Sequence, residues 1–299
     1  MSPTLKLRGM NRAIDSTLVM GVVNASPESF SDAGRFSSLQ SQIDLAASLI
    51  ESGANIIDVG GQSAITNQPE LDASLERERV LPIVEWLSEH HPDVLVSVDT
   101  YKPEVVAAVL AAGADIINDV SGLKYPELAS MCAEHGAALV IMHTAAPPKV
   151  RLQRQDLYAD ITTEVRDFLV ERMETAVAAG LPQNSVILDP GPDFTKTPRQ
   201  TIDLLRNIDV FRNLDRPLLL ALSRKDFLGA ITGRTPKSRD AATAAAIAFF
   251  ASAPGNIVRV HDVKAAVDVI ATVETLVGTR DVAEDYVLPD SLRYEPRSE

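Results

Sequence analysis

Short β-branched runs and longer alanine-rich segments alternate eight times along this chain, and that alternation restricts the possible folds more than any other feature. Each run has the length of a strand, and several are apolar throughout, as in strands that are buried on both faces. The segments between the runs show helical periodicity, so repeated strand–helix units predict a parallel sheet. The predicted strands are 18–23, 56–59, 94–98, 115–117, 138–142, 186–188, 217–222 and 256–260.

The segments between the predicted strands begin and end like helices. Segment 102–112 reads KPEVVAAVLAA, with Pro103 in the first turn and Gly113 directly after the last residue. Proline suits the first turn of a helix, and glycine commonly ends one. Two other helical segments end at Gly53 and Gly180 and are followed by a strand. This pattern is typical of the helix-to-strand connections of a barrel.

Eight strand–helix units in about 250 residues predict an α/β fold of one domain, a (β/α)₈ TIM barrel. The competing fold is an open, doubly wound sheet. No G-x-G-x-x-G motif follows the first predicted strand, which disfavours the dinucleotide-binding version of that fold. We expect an N-terminal extension at 1–17, the barrel at 18–278 and a polar C-terminal extension at 279–299.

Charge and composition exclude several classes of partner. The formal net charge of −13 disfavours nucleic acid and anionic membranes as general partners. No apolar run is long enough to span a bilayer, and the N-terminus lacks the apolar segment of a signal peptide. Cys132 is the one cysteine, so a disulfide framework within the chain and a cysteine-based zinc site are both excluded. We expect a buried structural thiol and a cytoplasmic protein.

Polar side chains occupy the ends of almost all predicted strands, where the active site of such a barrel lies. Helix capping explains any one of these Asn, Asp or Ser residues as well as catalysis does. Capping does not explain Lys225, Arg259 and His261, which are poor caps. The mixture of cations and carboxylates predicts a site for a polar, partly anionic molecule. The residues are Asn24, Asp58, Asp99, Asn118, Asp119, His143, Asp189, Ser223, Arg224, Lys225, Arg259, His261 and Asp262.

Some of these residues allow a more specific prediction. Asp99 and Asp189 end apolar strands and need donors, which a ligand N–H or a structural lysine could supply; we favour the ligand. His143 is as readily a core histidine as a functional one. Arg259 and His261 alternate along one strand and point to the same side, next to a helix N-terminus, which predicts a phosphate site. A Mg²⁺ ion carried by a pyrophosphate would need one or two protein oxygens.

Eight motifs at these strand ends occur in one order over residues 18–275. They are MGVVNASPESFSDAG at 20–34, DVGGQS at 58–63, SVDTY at 97–101, DIINDVSG at 115–122, VIMH at 140–143, LDPGPDF at 188–194, SRKDFLG at 223–229 and RVHDV at 259–263. This set resembles the motifs of the dihydropteroate synthase family. That family joins 4-aminobenzoate to 6-hydroxymethyl-7,8-dihydropterin diphosphate and releases pyrophosphate, and its members are associated with sulfonamide sensitivity or resistance.

The resemblance implies a role for each matching residue, with Mg²⁺ as the cofactor and a homodimer as the assembly. It implies that the pterin is bound by Asp99, Asn118, Met142, Asp189 and Lys225. It implies that the diphosphate is bound by Asn24, Arg259 and His261, with Mg²⁺ on Asn24. It implies that 4-aminobenzoate is bound by Phe194, Ser223 and Lys225. Of these residues, Lys225, Asp99 and Arg259 would be catalytic.

The chain departs from the family pattern in three loops. Where the family usually has Thr and Arg in the second loop, this chain has Ala64 and Ile65. Asp193 stands where the sixth loop usually has glycine, and Asp226 stands where serine usually follows the lysine of the seventh loop. We expect the first and second loops to act as lids. Two alternatives stay open: a pterin-binding protein without synthase activity, and a methyltetrahydrofolate methyltransferase, which would need no diphosphate site.

Overall fold

In the computed structural model, eight parallel strands close into a barrel with helices around it, as predicted. The structure describes residues 2–25, 39–62, 66 and 69–295. The barrel strands are β3 (Leu18–Asn24), β4 (Ile56–Gly60), β5 (Leu95–Asp99), β6 (Ile116–Asp119), β7 (Ala138–Met142), β8 (Val186–Asp189), β9 (Leu218–Leu220) and β10 (Asn256–Val260). Each strand pairs with the next in chain order, and β10 pairs with β3 to close the barrel.

The strand positions agree with the sequence prediction, and the differences lie at strand ends. Four strands, β3, β5, β6 and β8, each continue into the polar residue that was expected just beyond the strand, for example Asn24 and Asp189, and β4 continues into Gly60. The exception is β9, which is shorter than the predicted 217–222. Its chain turns early because the N–H of Leu222 donates to the carbonyl of Leu220.

The helices fill the connections between the strands. They are α1 (Leu39–Glu51), α2 (Ala73–His90), α3 (Pro103–Ala111), α4 (Glu127–His135), α5 (Ile161–Ala178), α6 (Pro198–Arg206), α7 (Asp209–Arg212), α8 (Asp226–Thr232), α9 (Asp240–Ala251) and α10 (Val263–Val277). Short 3₁₀ helices lie at Gln183–Ser185, Pro236–Ser238 and Asp290–Leu292. Among the described residues, no helix is both long and apolar enough to cross a membrane.

Alternation along the strands divides the core into two layers, because successive side chains of a strand point to opposite faces. In β4, Ile57 and Val59 belong to the layer between strands and helices, whereas Ile56 belongs to the layer inside the barrel. Asp58 lies two residues after Ile56 and is fully buried, on the inward face. This alternation brings a carboxylate inside the barrel.

A hairpin that the sequence analysis treated only as an extension closes the N-terminal end of the barrel. Strands β1 (Thr4–Leu7) and β2 (Met10–Ala13) pair antiparallel. Leu5, Leu7 and Ile14 join the inner apolar layer, and Leu5 is fully buried. Polar contacts add to this seal, since Arg8 Nη2 donates to Asp115 Oδ2 at 2.6 Å. With one end sealed, ligands have to enter from the carboxyl ends of the strands.

Candidate active site

A cavity of about 610 Å³ opens at the carboxyl end of the barrel. The prediction that widely separated residues would gather around one cavity is confirmed for the ten residues to which the resemblance gives a binding role, although each role stays a prediction. Of the other strand-end residues, Arg224 also lines the cavity, whereas Asp58, Asp119, His143 and Asp262 do not. The predicted residues that line the cavity are Asn24, Asp99, Asn118, Met142, Asp189, Phe194, Ser223, Lys225, Arg259 and His261.

Strand register explains why these side chains meet. Asn24 of β3 lies beside Gly60 of β4, Gly60 lies beside Asp99 of β5, and Asp99 lies beside Asn118 of β6. Farther around the barrel, Met142 of β7 lies beside Asp189 of β8. The strand ends therefore form a ring of polar groups around the cavity floor.

Arg259 is held between two carboxylates. Its Nε donates to Asp58 Oδ2 at 2.6 Å, and its Nη2 donates to Asp99 Oδ2 at 3.2 Å. Burial raises the pKa of Asp99 to about 7, and the charge of Arg259 opposes that rise. Asp99 can therefore change its charge near neutral pH when a ligand binds or when Arg259 moves.

Asp58 is among the predicted strand-end residues but has no predicted binding role, yet it organises this part of the site. Besides Arg259, it accepts hydrogen bonds from Ser97 Oγ at 2.6 Å and from Asn118 Nδ2 at 3.3 Å. A fully buried carboxylate needs such donors. Strand alternation indicates this buried position in the sequence, because Asp58 shares its face of β4 with the core residue Ile56.

Asn118 presents an acceptor without a partner. Its amide nitrogen is turned toward Asp58, and within the described part of the chain its buried Oδ1 has no hydrogen-bond partner. A buried polar atom in that state is costly unless a ligand or water satisfies it. The orientation therefore favours a ligand that brings an N–H donor to the cavity floor.

Asp189, two strands around the barrel from Asn118, directly precedes a tight turn. Its Oδ1 accepts the N–H of Gly191 at 2.7 Å. Gly191 has φ +67°, and a Cβ there would lie 2.3 Å from the carbonyl oxygen of His143, so glycine is required. Burial raises the pKa of Asp189 to about 6, opposed by that hydrogen bond and by Lys225. The carboxylate is therefore mostly ionised at neutral pH.

Lys225 and Phe194 form one wall of the cavity. The Lys225 Nζ lies 4.2 Å from the centre of the Phe194 ring, and it donates to the Pro192 carbonyl at 3.2 Å. Farther toward the opening, Ser223 Oγ lies 2.9 Å from Nδ1 of His261. A flat molecule on this wall would contact the Phe194 ring and the aliphatic part of Lys225.

His143 and Lys196 lie behind the cavity wall. His143 is buried against Phe168 and Tyr158 and does not line the cavity, so the structure places it in the core. Lys196 was missed by the sequence analysis; it is fully buried, and its Nζ lies 2.9 Å from His143 Nδ1. It also donates to the carbonyls of Gly191 at 2.9 Å and Phe194 at 3.0 Å. Lys196 thus fixes the turn that carries Asp189 and Phe194.

Parts of the first and second loops are not described, among them the altered positions Ala64 and Ile65 and most of the expected lids. At the edge of the second loop, Gln62 accepts the N–H of Leu71 and lines the cavity. Within the described ranges, no cluster of three or more His, Cys, Asp or Glu side chains could hold a metal ion. A metal here would need oxygen ligands from a bound substrate.

The fold and this polar cavity define the chain as a pterin-binding enzyme: the family model of that description matches residues 20–261. Dihydropteroate synthase from Streptococcus pyogenes serotype M6 is 39% identical over 261 residues, covering 86% of this chain and 95% of that protein. The Synechocystis enzyme of the same name is 38% identical over 262 residues, covering 87% and 90%. The chain belongs to the dihydropteroate synthase family.

Solved structures agree with this family membership. The Yersinia pestis dihydropteroate synthase in complex with a sulfonamide drug is 34% identical, with a TM-score of 0.85, covering 91% of this chain and 98% of that chain. The Xanthomonas albilineans enzyme in complex with 7,8-dihydropteroate is 34% identical, with a TM-score of 0.80, covering 92% and 98%.

Proposed function

We propose that this protein is a dihydropteroate synthase, which condenses 6-hydroxymethyl-7,8-dihydropterin diphosphate with 4-aminobenzoate and releases pyrophosphate. The observation that carries the proposal is the unpartnered Oδ1 of Asn118 on a floor shared with Asp99 and Asp189. Such a floor offers acceptors to the several N–H donors of a pterin edge. Family membership supports the same reaction.

The pterin would lie on this floor. The Asp189 carboxylate can accept two parallel hydrogen bonds from the guanidine-like edge of the ring, a strong charge-assisted arrangement. Asn118 Oδ1 would accept a third, and the Met142 side chain, which lines the cavity, would pack on the ring face. Asp99 would contact the ring from the opposite side and counter the positive charge that develops there.

The diphosphate would lie above Arg259. Two of its donors already bond Asp58 and Asp99, and a guanidinium has five N–H donors in all, so it can hold phosphate oxygens as well. His261 and Asn24 also line the cavity. The two carboxylates keep Arg259 in place, and the cationic group would stabilise the departing anion.

We infer that Mg²⁺ binds with the diphosphate and that Asn24 is its protein ligand. The residues present fit the ion, because Mg²⁺ prefers oxygen ligands and usually combines one or two from the protein with substrate phosphates. Asn24 lines the cavity, and its Oδ1 lies 3.7 Å from the position that a Cβ of Gly60 would take. The ion would supply charge neutralisation to the leaving pyrophosphate.

The reaction then requires that the two substrates be held in position. It does not require a covalent enzyme intermediate. As the bond between the methylene carbon and the diphosphate oxygen breaks, positive charge spreads from that carbon into the pterin ring. The amine of 4-aminobenzoate forms the new C–N bond and loses a proton, while pyrophosphate leaves with the electron pair. Phe194, Ser223 and the aliphatic part of Lys225 would hold the benzoate ring at the correct distance.

A coupled assay of pyrophosphate release tests the proposal, with the pterin diphosphate, Mg²⁺ and 4-aminobenzoate. We expect turnover by the wild type, loss of about 100-fold or more in kcat/KM for Asp189→Asn, and no change for Asp268→Asn on the exposed face of α10. Pterin binding by calorimetry without pyrophosphate release would overturn the synthase and support a pterin-binding protein. Methyl transfer from methyltetrahydrofolate would support the methyltransferase.

We also propose a homodimer that assembles through the later helices and acts in the cytoplasm. Large apolar side chains are exposed on these helices, among them Ile231 on α8, Phe249 on α9 and Leu276 on α10. Exposed apolar groups that lie near one another commonly mark protein interfaces. The buried thiol of Cys132 suits a reducing compartment.

A further inference from the structure

The hydroxyl of Ser223 and the ring of His261 meet at the cavity. Ser223 follows β9 and His261 follows β10, and these two strands are neighbours in the barrel. Ser223 Oγ lies 2.9 Å from Nδ1 of the His261 ring and accepts the backbone N–H of the same residue at 3.4 Å. Both residues line the cavity. One hydroxyl therefore contacts His261 at two atoms, and these two contacts define where the ring carries its hydrogen.

The two contacts place the hydroxyl hydrogen of Ser223. A backbone N–H can only donate, so Ser223 Oγ is the acceptor in the contact with the His261 backbone. A serine hydroxyl can accept one hydrogen bond and donate another, so its own hydrogen is available for Nδ1. A neutral imidazole that accepts at one nitrogen carries its hydrogen on the other. The geometry therefore selects the tautomer of His261 with the hydrogen on Nε2.

The charges near His261 favour the neutral ring that this hydrogen bond requires. A protonated ring has two donors and could not accept from Ser223. Desolvation in the cavity lowers the pKa of His261, three nearby cations add to this effect, and one carboxylate opposes it. These charged groups are Arg224, Arg259, Lys225 and Asp240. The ring is therefore neutral at neutral pH, and because Ser223 occupies Nδ1, Nε2–H is the donor that remains for a ligand.

Backbone contacts fix the turn that carries Ser223. The N–H of Arg224 donates to Thr243 Oγ1 on α9 at 3.1 Å. The buried guanidinium of Arg239 donates from Nη1 to the carbonyls of Arg224 at 2.8 Å and of Lys225 at 3.0 Å. Helix α9 and the residue before it thus anchor the chain directly after Ser223. The hydroxyl reaches the ring from a fixed position and can orient it.

We propose that Ser223 is a positioning residue for the diphosphate: its hydroxyl holds His261 in the tautomer whose Nε2–H donates to a phosphate oxygen. In the other tautomer, Nε2 would present a lone pair to the anion, and the contact would be repulsive. This role rests on the proposed function, which places the diphosphate at His261. Ser223 would still contact the benzoate ring through its carbon atoms, so one hydrogen bond would connect the two substrate positions.

Calorimetry with inorganic pyrophosphate tests whether Ser223 acts through His261. The affinity for pyrophosphate would be measured with Mg²⁺ and 6-hydroxymethyl-7,8-dihydropterin for the wild type, Ser223→Ala, His261→Ala and the double variant. We expect Ser223→Ala to weaken pyrophosphate binding about fivefold when His261 is present and to have no effect in the His261→Ala background. The matched control is Ser130→Ala, which removes a hydroxyl that donates to the Glu127 carbonyl on α4 at 2.9 Å and should bind pyrophosphate like the wild type.

The tautomer itself can be measured without any ligand by ¹⁵N NMR, because protonated and unprotonated imidazole nitrogens differ in chemical shift. The chain has five histidines, and the spectrum of His261→Ala identifies the signals of His261. At neutral pH we expect the wild type to carry the hydrogen on Nε2, and Ser223→Ala to show a larger fraction with the hydrogen on Nδ1. A serine that only supported the fold would not change this fraction.

Three results would overturn the proposal. The first is a hydrogen on Nδ1 of His261 in the wild type. The second is a Ser223→Ala substitution that has no effect on pyrophosphate affinity, or the same effect with and without His261. The third is failure of pyrophosphate to bind the wild type, which would also remove the proposed diphosphate site. Binding of pyrophosphate with the expected coupling but without turnover of the substrates would overturn the synthase activity alone.

Discussion

At the scale of single residues, the buried carboxylate of Asp58 positions the guanidinium of Arg259. Asp58 receives hydrogen bonds from Arg259, Ser97 and Asn118. It therefore sets both the position of the guanidinium and the direction in which the Asn118 amide points. A group that never needs to touch a ligand can in this way determine what the ligand meets.

Replacing Asp58 by asparagine should separate this positioning role from folding. We expect kcat/KM for the pterin diphosphate to fall by about tenfold or more, because Arg259 loses its charge-assisted bond and Asn118 loses its orientation. The control is Asp156→Asn, which removes a carboxylate from the exposed pair with Arg154. Full activity of Asp58→Asn, measured as pyrophosphate release, would contradict the positioning role.

His143 should make the stability of the protein depend on acid. Burial, together with the charge of Lys196, lowers the pKa of His143 to about 2. Below about pH 6.5 the unfolded chain binds a proton at this position and the folded chain does not, so stability is complete above that pH and falls as pH decreases. Asp99 and Asp189, whose pKa values are raised, titrate in the opposite sense in the same range.

The variant His143→Gln retains Asp99 and Asp189. Comparing it with the wild type therefore cancels the contributions of these two residues to the pH dependence of stability. Between pH 6.5 and 5, the free energy of unfolding of the wild type should decrease by about 2 kcal/mol more than that of the variant. Urea denaturation at several pH values measures the difference. Parallel pH profiles for the two proteins would show that folding does not lower the pKa of His143.

At the scale of elements, the N-terminal hairpin completes the barrel rather than preceding it. Its apolar residues pack on the N-terminal ends of the strands. In a (β/α)₈ barrel, this end contributes to stability and not to catalysis. We propose that the hairpin folds as part of the barrel domain. The exposed segment 279–295 remains assigned as the C-terminal extension.

Two substitutions in the hairpin measure its contribution. Leu5→Ala should destabilise the protein by about 2–5 kcal/mol, since Leu5 is fully buried and its truncation leaves a cavity. Met10→Ala should change stability by less than about 0.5 kcal/mol, since Met10 is 66% exposed. Guanidinium denaturation gives both values. Similar, small effects for the two variants would mean that the hairpin is not part of the cooperative unit.

At the scale of the whole molecule, the charge and the apolar surface are unevenly distributed. The net charge of −13 coexists with a cavity that gathers Arg259 and Lys225 among carboxylates. The exposed apolar residues of α8, α9 and α10 lie on the outside of the barrel. The local arrangement therefore determines ligand binding, while the outer helices are available for assembly.

Sedimentation equilibrium tests the proposed dimer. We expect Phe249→Asp to raise the dimer dissociation constant by about 100-fold or more, because a charge would replace an apolar side chain in the interface. Met10→Asp is the matched control, since both residues are 66% exposed but Met10 lies on the hairpin. A monomeric wild type, or equal effects of the two substitutions, would exclude this face as the interface.

The amino-acid sequence by itself determined the eight strand–helix units and the polar residue at each strand end, since both depend on local periodicity and on the short distance along the chain between a strand and its loop. Only the tertiary structure decided that Arg259 would lie between Asp58 and Asp99, that Lys196 would hold the turn after Asp189, and that a hairpin would close the barrel. The contacts of Arg259 and of the hairpin join residues far apart in the chain, and their partners are selected by strand register and burial, which no local pattern encodes. Lys196 is close to its turn in the chain, but its Nζ is also held by His143, 53 residues away.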